Sequence, residues 1–200
     1  MKKPKLLIIV LFQNLGDDNP YFAQSPAPPL SGTLLAALTP PIVEIELLHE
    51  MNRPIDYDTD ADYIALSFMD FCAPHAYEVA HKFKKRGKIV IAGGRYATTF
   101  PDKVTPHVDV VVVGEAEKIW PQVVEDLVDN NFQQVYTAPF GASLENIPPP
   151  RYDLVESAFM TPVVTEATRG CPYRCWFCQL NINPAPYRCR PIKDVINDLK

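Results

Sequence analysis

The sequence predicts an α/β fold built on a doubly wound parallel sheet. Short apolar runs rich in Val, Ile and Leu recur along the first half of the chain, as expected for strands covered on both faces. Segments with apolar residues at helical spacing lie between several of these runs. Pro, Gly, Asn and Asp cluster at the junctions, where they mark turns and loops. Strands that alternate with helices in this way form parallel sheets with helices on both faces.

Five strands are predicted, at residues 6–12, 42–48, 63–67, 88–92 and 108–113. The second alternates apolar and acidic residues, which favours a position near an edge of the sheet. Helices are predicted at residues 31–38, 74–86 and 119–128. Ser31 is the expected N-cap of the first helix, and Gly87 is expected to end the second. This order is typical of a flavodoxin-like or Rossmann-like domain.

The overall composition argues against two classes of partner, nucleic acids and membranes. The net charge is −5 and the basic residues are dispersed, which argues against a nucleic-acid partner. No apolar run approaches the roughly 20 residues needed to span a bilayer. Residues 6–12 follow a lysine-rich start and imitate a signal peptide, but the run is short and no small-residue cleavage site follows closely. We therefore expect a buried strand there, and a protein of the reducing cytoplasm, where thiols stay free.

Small and polar residues collect where the predicted strands end. In doubly wound sheets, ligands bind beyond the carboxyl ends of the strands. The residues expected at that edge are Asn14, Gly16, Ser67, Gly93, Gly94, Gly114 and Glu115. Glycines there would let a ligand approach the backbone closely. No Gly-x-Gly-x-x-Gly motif follows the first strand, so the dinucleotide fingerprint is absent.

Three cysteines form the most specific motif of the chain. Cys171, Cys175 and Cys178 have the spacing Cys-x3-Cys-x2-Cys in a segment whose glycine and proline indicate a loop. Iron–sulfur clusters are normally held by cysteine thiolates, usually four, so three close ligands would leave one iron open. The alternative is a zinc site completed by Cys189, although structural zinc sites usually combine two Cys-x2-Cys pairs. Cys72 stands alone in an apolar run and is expected to be a packing residue.

The cysteine motif resembles that of the radical S-adenosylmethionine (radical SAM) superfamily. The resemblance implies that Cys171, Cys175 and Cys178 hold a 4Fe–4S cluster whose open iron binds S-adenosylmethionine. It also implies that Phe177 lies beside the cluster and the adenine, and that an electron donor such as flavodoxin or ferredoxin reduces the cluster. The catalytic residues and the small-molecule substrate are not indicated by the motif.

The strand ends resemble the cobalamin-binding domain of cobalamin-dependent radical SAM enzymes. The segments are Gly-Gly-x-x-x-Thr at 93–98 and Gly-Glu-x-Glu at 114–117. The residues that the resemblance assigns to the cofactor are Ser67, Gly93, Gly94, Gly114, Glu115 and Glu117. The Asp-x-His-x-x-Gly motif that supplies a cobalt ligand in methionine-synthase-type proteins is absent, and the four histidines are expected to be ordinary surface or core residues.

The resemblance implies methyl transfer to an unactivated carbon, with cyclisation or rearrangement as a variant. Two alternatives stay open. The front domain could bind no cobalamin and only shape the substrate pocket. The chain could also be a non-catalytic flavodoxin-like module with a zinc-bound tail.

The predicted domain organisation has three parts. Residues 1–146 form the cobalamin-binding-like domain, residues 147–160 a proline-rich linker, and residues 161–200 the start of a radical SAM barrel. The β-branched run 161–168 is expected to be the first barrel strand, and residues 192–200 a helix. Since one strand and one helix cannot close a barrel, we expect the front part of a longer enzyme that is inactive by itself.

Overall fold

A parallel six-stranded sheet lies at the centre of the computed structural model, which describes residues 3–12, 27–155, 159, 161 and 163–200. Its strands are β1 (Lys5–Val10), β2 (Glu44–His49), β3 (Tyr63–Ser67), β4 (Ile89–Gly93), β5 (Val110–Val113) and β6 (Val135–Thr137). Their order across the sheet is β2-β1-β3-β4-β5-β6, and every neighbouring pair is parallel. β2 is an edge strand, as its alternating pattern predicts.

Helices cover both faces of the sheet. They are α1 (Leu30–Leu38), α2 (Ala73–Lys84), α3 (Arg95–Thr99), α4 (Pro101–Val104) and α5 (Trp120–Val128). In β1, Leu6 belongs to the same buried cluster as Trp120 of α5, whereas the adjacent Leu7 belongs to the cluster that contains Phe83 of α2. Successive side chains of a strand point to opposite faces, so each face of the sheet builds its own apolar core. The doubly wound fold that the sequence predicts is confirmed.

The sheet has one strand more than the five predicted. β6 is three residues long, and only its middle residue, Tyr136, is buried. The Tyr136 hydroxyl lies 2.6 Å from a carboxylate oxygen of Asp126 in α5. A strand this short carries no detectable apolar period, so its position depends on pairing with β5 rather than on its own sequence.

The ends of two helices can be compared with the predicted capping residues. The prediction of Ser31 as an N-cap is wrong, because α1 begins at Leu30 directly after Pro29. The Ser31 hydroxyl instead lies 3.3 Å from the Ser67 hydroxyl at the end of β3. Gly87 follows α2 with a φ of +74°, which confirms its predicted role at the end of that helix.

The segment that follows the linker pairs differently from the prediction. The described residues of the run 161–167 form no strand, and only β7 (Thr168–Arg169) pairs, antiparallel, with β8 (Arg188–Cys189). A parallel barrel strand needs parallel neighbours, and the described residues place a returning segment beside it instead. Helix α6 (Ile192–Asn197) follows β8. Within the described residues, no helix has the length and apolar character to cross a membrane.

Candidate functional site

A cavity of about 880 Å³ lies at the carboxyl ends of the central strands. Ser67, Gly93 and Gly114, at or just after the ends of β3, β4 and β5, contribute to its lining. The segment around Cys171 contributes another part of the lining. The cavity therefore lies where the strand ends meet the cysteine segment, at the edge where doubly wound sheets bind ligands.

Most of the residues that the sequence assigns to cofactors line this one cavity. They are Ser67, Gly93, Gly94, Gly114, Glu115, Glu117 and Cys171. Cys175, Cys178 and Phe177 do not line it. Asn14 and Gly16 lie outside the described residues.

Three glycines of the lining, at the ends of β4 and β5, differ in what requires them. Gly94 has a φ of +95°, and a Cβ there would lie 2.8 Å from the carbonyl oxygen of Phe68. Gly114 has a φ of +94°, and a Cβ there would lie 2.7 Å from the carbonyl oxygen of Ala138. A Cβ on Gly93 would meet nothing closer than 4.0 Å. Backbone conformation and close backbone contacts thus explain Gly94 and Gly114, whereas at Gly93 a Cβ would fit without a clash.

Thr98 links the sheet domain to the segment after the linker, residues 161–200, which we call the tail. Its hydroxyl accepts a hydrogen bond of 3.1 Å from the N–H of Gly114, which fixes the loop after β5. Its carbonyl oxygen accepts a hydrogen bond of 3.2 Å from the side-chain amide of Asn183. The threonine of the Gly-Gly-x-x-x-Thr segment therefore helps to position both the loop after β5 and the segment around Asn183.

The two acidic residues of the Gly-Glu-x-Glu segment bind arginines from the tail. Both carboxylate oxygens of Glu115 contact the Arg188 guanidinium, at 2.5 and 2.8 Å. Glu117 contacts Arg169 at 2.6 Å, and Arg169 is also bound to Glu166. We name this group of five residues the Glu–Arg cluster. Since Arg169 is two residues before Cys171, the cluster holds the cysteine segment against the end of the sheet.

The Glu–Arg cluster keeps its arginines firmly charged. Burial disfavours the charged form of Arg169, but hydrogen bonds to Glu166 and Glu117 outweigh it and raise the pKa of the guanidinium. The hydrogen bonds that Arg188 donates to Glu115 likewise raise the pKa of the Arg188 guanidinium. Charge-assisted, bidentate pairs of this kind fix geometry as well as sign of charge. The sequence signal for the cluster is modest: an acidic pair after β5 and arginines on both sides of the cysteine loop.

The cysteine loop itself is open to solvent. Cys175 is exposed, Cys171 and Cys178 are half-buried, and all three are free thiols. The N–H of Cys178 donates a 2.9 Å hydrogen bond to the carbonyl of Cys175, which closes a turn between them. Phe177 is 74% exposed and packs edge-on against Trp176.

The donor set fits an iron–sulfur cluster in its chemistry, because three free thiols lie within eight residues and none is fully buried. In the described part of the chain, no group of three or more His, Cys, Asp or Glu residues is arranged to hold a metal ion. The thiols would therefore have to converge when a cluster binds. Cys189, the fourth ligand of the zinc alternative, lies in β8 as an exposed free thiol.

Several lining residues carry no sequence motif. Leu34, Leu35 and Leu38 of α1 and Trp120 of α5 give the cavity an apolar part. The Trp120 indole N–H donates a 2.8 Å hydrogen bond to the Thr39 hydroxyl. From the sequence, these residues cannot be distinguished from ordinary core residues, because helical spacing alone does not show which apolar face borders a cavity.

Two curated relatives from Chlorobaculum tepidum are methyltransferases. Bacteriochlorophyllide d C-8(2)-methyltransferase is 34% identical over 153 residues, which is 72% of this chain and 34% of the relative. Bacteriochlorophyllide d C-12(1)-methyltransferase is 26% identical over 183 residues, which is 86% of this chain and 40% of the relative. The chain thus spans between a third and two fifths of the length of these relatives.

Among solved structures, the N-terminal domain of the hypothetical protein TM0182 of Thermotoga maritima is similar with a TM-score of 0.35 and 22% identity, over 43% of this chain and 74% of that one. No protein-family model matches the chain. Methyl transfer is the reaction in both relatives' names, in agreement with the methyl transfer expected from the resemblance to cobalamin-dependent radical SAM enzymes. Over most of its length, this chain is therefore similar in sequence to methyltransferases.

Proposed function

We propose that this chain carries the cofactor-binding part of a cobalamin-dependent radical SAM methyltransferase. The observation that carries the proposal is the cavity that joins the ends of β3, β4 and β5 to the first cysteine of the Cys-x3-Cys-x2-Cys motif. The sequence similarity to two methyltransferases supports the reaction class. The same proposal takes residues 1–146 as the cobalamin-binding unit, 147–160 as the linker and 161–200 as the start of the radical SAM unit.

The residues of the chain have distinct roles in this proposal. Cys171, Cys175 and Cys178 would hold the 4Fe–4S cluster, and Phe177 would lie beside it. The missing side chain at Gly93 would let cobalamin approach the end of the sheet. When bound, the cluster would supply the electron that cleaves S-adenosylmethionine, and cobalamin would supply the methyl group. An external reductant such as flavodoxin or ferredoxin and a small-molecule substrate complete the proposed reaction.

The protein's own groups shape the site rather than react in it. The leucines of α1 and Trp120 give one part of the cavity an apolar lining, which would strengthen electrostatic interactions with a bound ligand. The Glu–Arg cluster holds the segment that leads to Cys171. Fixed placement of reacting groups is a main source of rate acceleration in enzymes, so both features would serve catalysis.

Anaerobic reconstitution with iron and sulfide tests the cluster. Wild-type chain and Cys189→Ala should bind iron and sulfide equally, whereas Cys175→Ala should lose most of both. Cys189→Ala is the matched control, because it removes an exposed thiol outside the motif. Zinc in place of iron, lost equally in both variants, would favour the non-catalytic module with a zinc-bound tail.

Anaerobic titration with hydroxocobalamin tests the front domain. Stoichiometric binding with a spectrum typical of cobalamin without an imidazole ligand is the expected result, since the lower-face histidine motif is absent. No binding by a folded chain would contradict the cobalamin proposal. It would then favour a radical SAM protein whose front domain only shapes the substrate pocket.

A further inference from the structure

Some of the charged side chains that line the cavity have a partner of opposite charge, and others do not. Its carboxylates, among the described residues, are those of Glu115, Glu117 and Glu166. Each of them contacts an arginine of the Glu–Arg cluster. The acidic side chains of the lining are therefore neutralised by neighbouring protein groups.

Two further arginines of the lining have no such partner. Arg95 directly follows Gly94 at the start of α3, and Arg174 lies in the loop between Cys171 and Cys175. In the part of the chain that the structure describes, neither guanidinium makes an ion pair or a side-chain hydrogen bond. A guanidinium presents five N–H donors and stays charged at any physiological pH. The cavity thus offers unused donors and positive charge.

The rest of the lining sets the size and polarity of a matching ligand. Leucines of α1 and Trp120 provide an apolar surface, and the volume of about 880 Å³ accommodates a molecule larger than a simple ion. Apolar pockets with a few placed polar groups bind organic molecules, with the polar groups fixing orientation. Guanidinium groups match the planar, two-oxygen geometry of carboxylates and phosphates.

We propose that the cavity binds an organic anion, whose carboxylate or phosphate contacts Arg95 and Arg174 and whose apolar body packs on α1 and Trp120. The proposal rests on the proposed function in placing a ligand in this cavity, but it requires neither a cluster nor cobalamin to be bound. The anionic group belongs either to the substrate or to the phosphodiester of the cofactor. One arginine comes from the start of α3 and the other from the cysteine loop, so a bound anion contacts both parts of the chain.

A pair of fluorescent probes with the same apolar body tests the site in the cluster-free chain. Anilinonaphthalene sulfonate carries an anionic group, and N-phenylnaphthylamine lacks it. We expect the sulfonate to bind about tenfold more tightly, the lower end of what charge-assisted hydrogen bonds contribute. Arg95→Ala/Arg174→Ala should abolish that preference and leave the affinity for the neutral probe unchanged. Arg95→Lys/Arg174→Lys should retain part of the preference.

Lys85→Ala is the matched control, because it removes one exposed positive charge outside the cavity lining. It should not alter the preference for the sulfonate. Circular dichroism verifies that each variant is folded. An equal affinity of the wild-type chain for both probes, or a preference that survives in the double alanine variant, would overturn the proposal.

A comparison of two corrinoids then shows whether the anionic group belongs to the cofactor or to the substrate. Cobinamide keeps the corrin ring of cobalamin but lacks its phosphodiester. If the double alanine variant weakens hydroxocobalamin about tenfold and leaves cobinamide unchanged, the anion is the phosphodiester of the cofactor. If both corrinoids bind the variant as they bind the wild-type chain while the sulfonate is lost, the anion belongs to the substrate. Failure of the probe test leaves the cysteine assignment standing, since that assignment is tested by iron content.

Discussion

Both carboxylate oxygens of Glu115 contact the guanidinium of Arg188, and the same guanidinium donates a 2.6 Å hydrogen bond to the carbonyl of Ala142. Glu115 follows β5 of the sheet, and Arg188 begins β8 of the tail. Their side chains are only 15% and 13% exposed. Partial burial makes this pair stronger than a solvated surface ion pair and makes its disruption costly.

The first prediction concerns this pair. Glu115→Ala should destabilise the tail relative to the sheet by about 1.5–3 kcal/mol, because it leaves a largely buried guanidinium without its partner. Hydrogen exchange should become faster in residues 168–190, while the strands β1, β3 and β4 keep their protection. The charge-swapped Glu115→Arg/Arg188→Glu variant should recover part of the protection.

Glu125→Ala is a suitable control for Glu115→Ala, because Glu125 is an exposed glutamate of α5. Its exchange pattern should equal that of the wild-type chain. Unchanged exchange of the tail in Glu115→Ala would show that the pair does not hold the two parts together.

The second prediction concerns the three glycines of the cavity that lie at the ends of β4 and β5. Gly94→Ala and Gly114→Ala should each lower the free energy of unfolding by about 2 kcal/mol, since both have positive φ and would place Cβ against backbone oxygen. Gly93→Ala should change it by less than about 1 kcal/mol, because a Cβ there would meet no atom closer than 4.0 Å. Urea unfolding followed by circular dichroism measures all three.

Gly93→Ala also tests whether cobalamin packs against the end of β4. If cobalamin packs against the end of β4, this folded variant should bind hydroxocobalamin about tenfold more weakly, because the added methyl group occupies contact space. Equal affinities of Gly93→Ala and the wild-type chain would place the corrin elsewhere in the cavity.

The third prediction uses the two tryptophans as reporters. Trp120 is 1% exposed and lines the cavity, whereas Trp176 is 94% exposed in the cysteine loop. Trp176→Phe should therefore show blue-shifted emission that acrylamide quenches weakly, and Trp120→Phe the reverse. A coloured ligand in the cavity, such as hydroxocobalamin, should quench the emission of Trp176→Phe strongly. Emission that stays constant at saturation with cobalamin would place the binding site away from α5.

The fourth prediction concerns pH and the edge strand. The hydrogen bond from Arg53 is the main cause that holds the pKa of Glu46 in β2 below its usual value of 4.5, with burial opposing and Lys5 adding to the effect. A carboxylate with a lowered pKa in the folded state contributes stability above its unfolded pKa and loses it as the pH falls through the folded value. Glu46→Gln should thus be less stable than the wild-type chain by about 0.5–1 kcal/mol at pH 7.

The difference should disappear as the pH falls below 4.5, and it should shrink at high salt, because the pairs are partly exposed. Glu44→Gln is the control on the same strand, since Glu44 is exposed. Urea unfolding at several pH values measures both variants. A constant gap between Glu46→Gln and the wild-type chain across this range would contradict the role given to the ion pairs.

The sequence by itself determined the layout of the sheet domain. Apolar runs such as that of β1 are long and unbroken, and parallel strands buried on both faces require such runs. The alternating pattern of β2 predicts its edge position, and Gly87 marks the end of α2. These features depend on local periodicity and turn chemistry, which a chain displays before it folds. The spacing of the three cysteines is local in the same sense.

Only the tertiary structure decided how distant groups meet. The two arginines of the Glu–Arg cluster lie 52 residues (Arg169 and Glu117) and 73 residues (Arg188 and Glu115) from their partners in the Gly-Glu-x-Glu segment, and no local pattern links these pairs. Strand β6 and the antiparallel pairing of β7 likewise depend on a neighbour supplied by another part of the chain. The difference between Gly93 and its two companions depends on which atoms a Cβ would meet, which sequence cannot show. The physical reason is that contacts, burial and charge pairing are properties of the folded arrangement, whereas periodicity and turn preference belong to the chain itself.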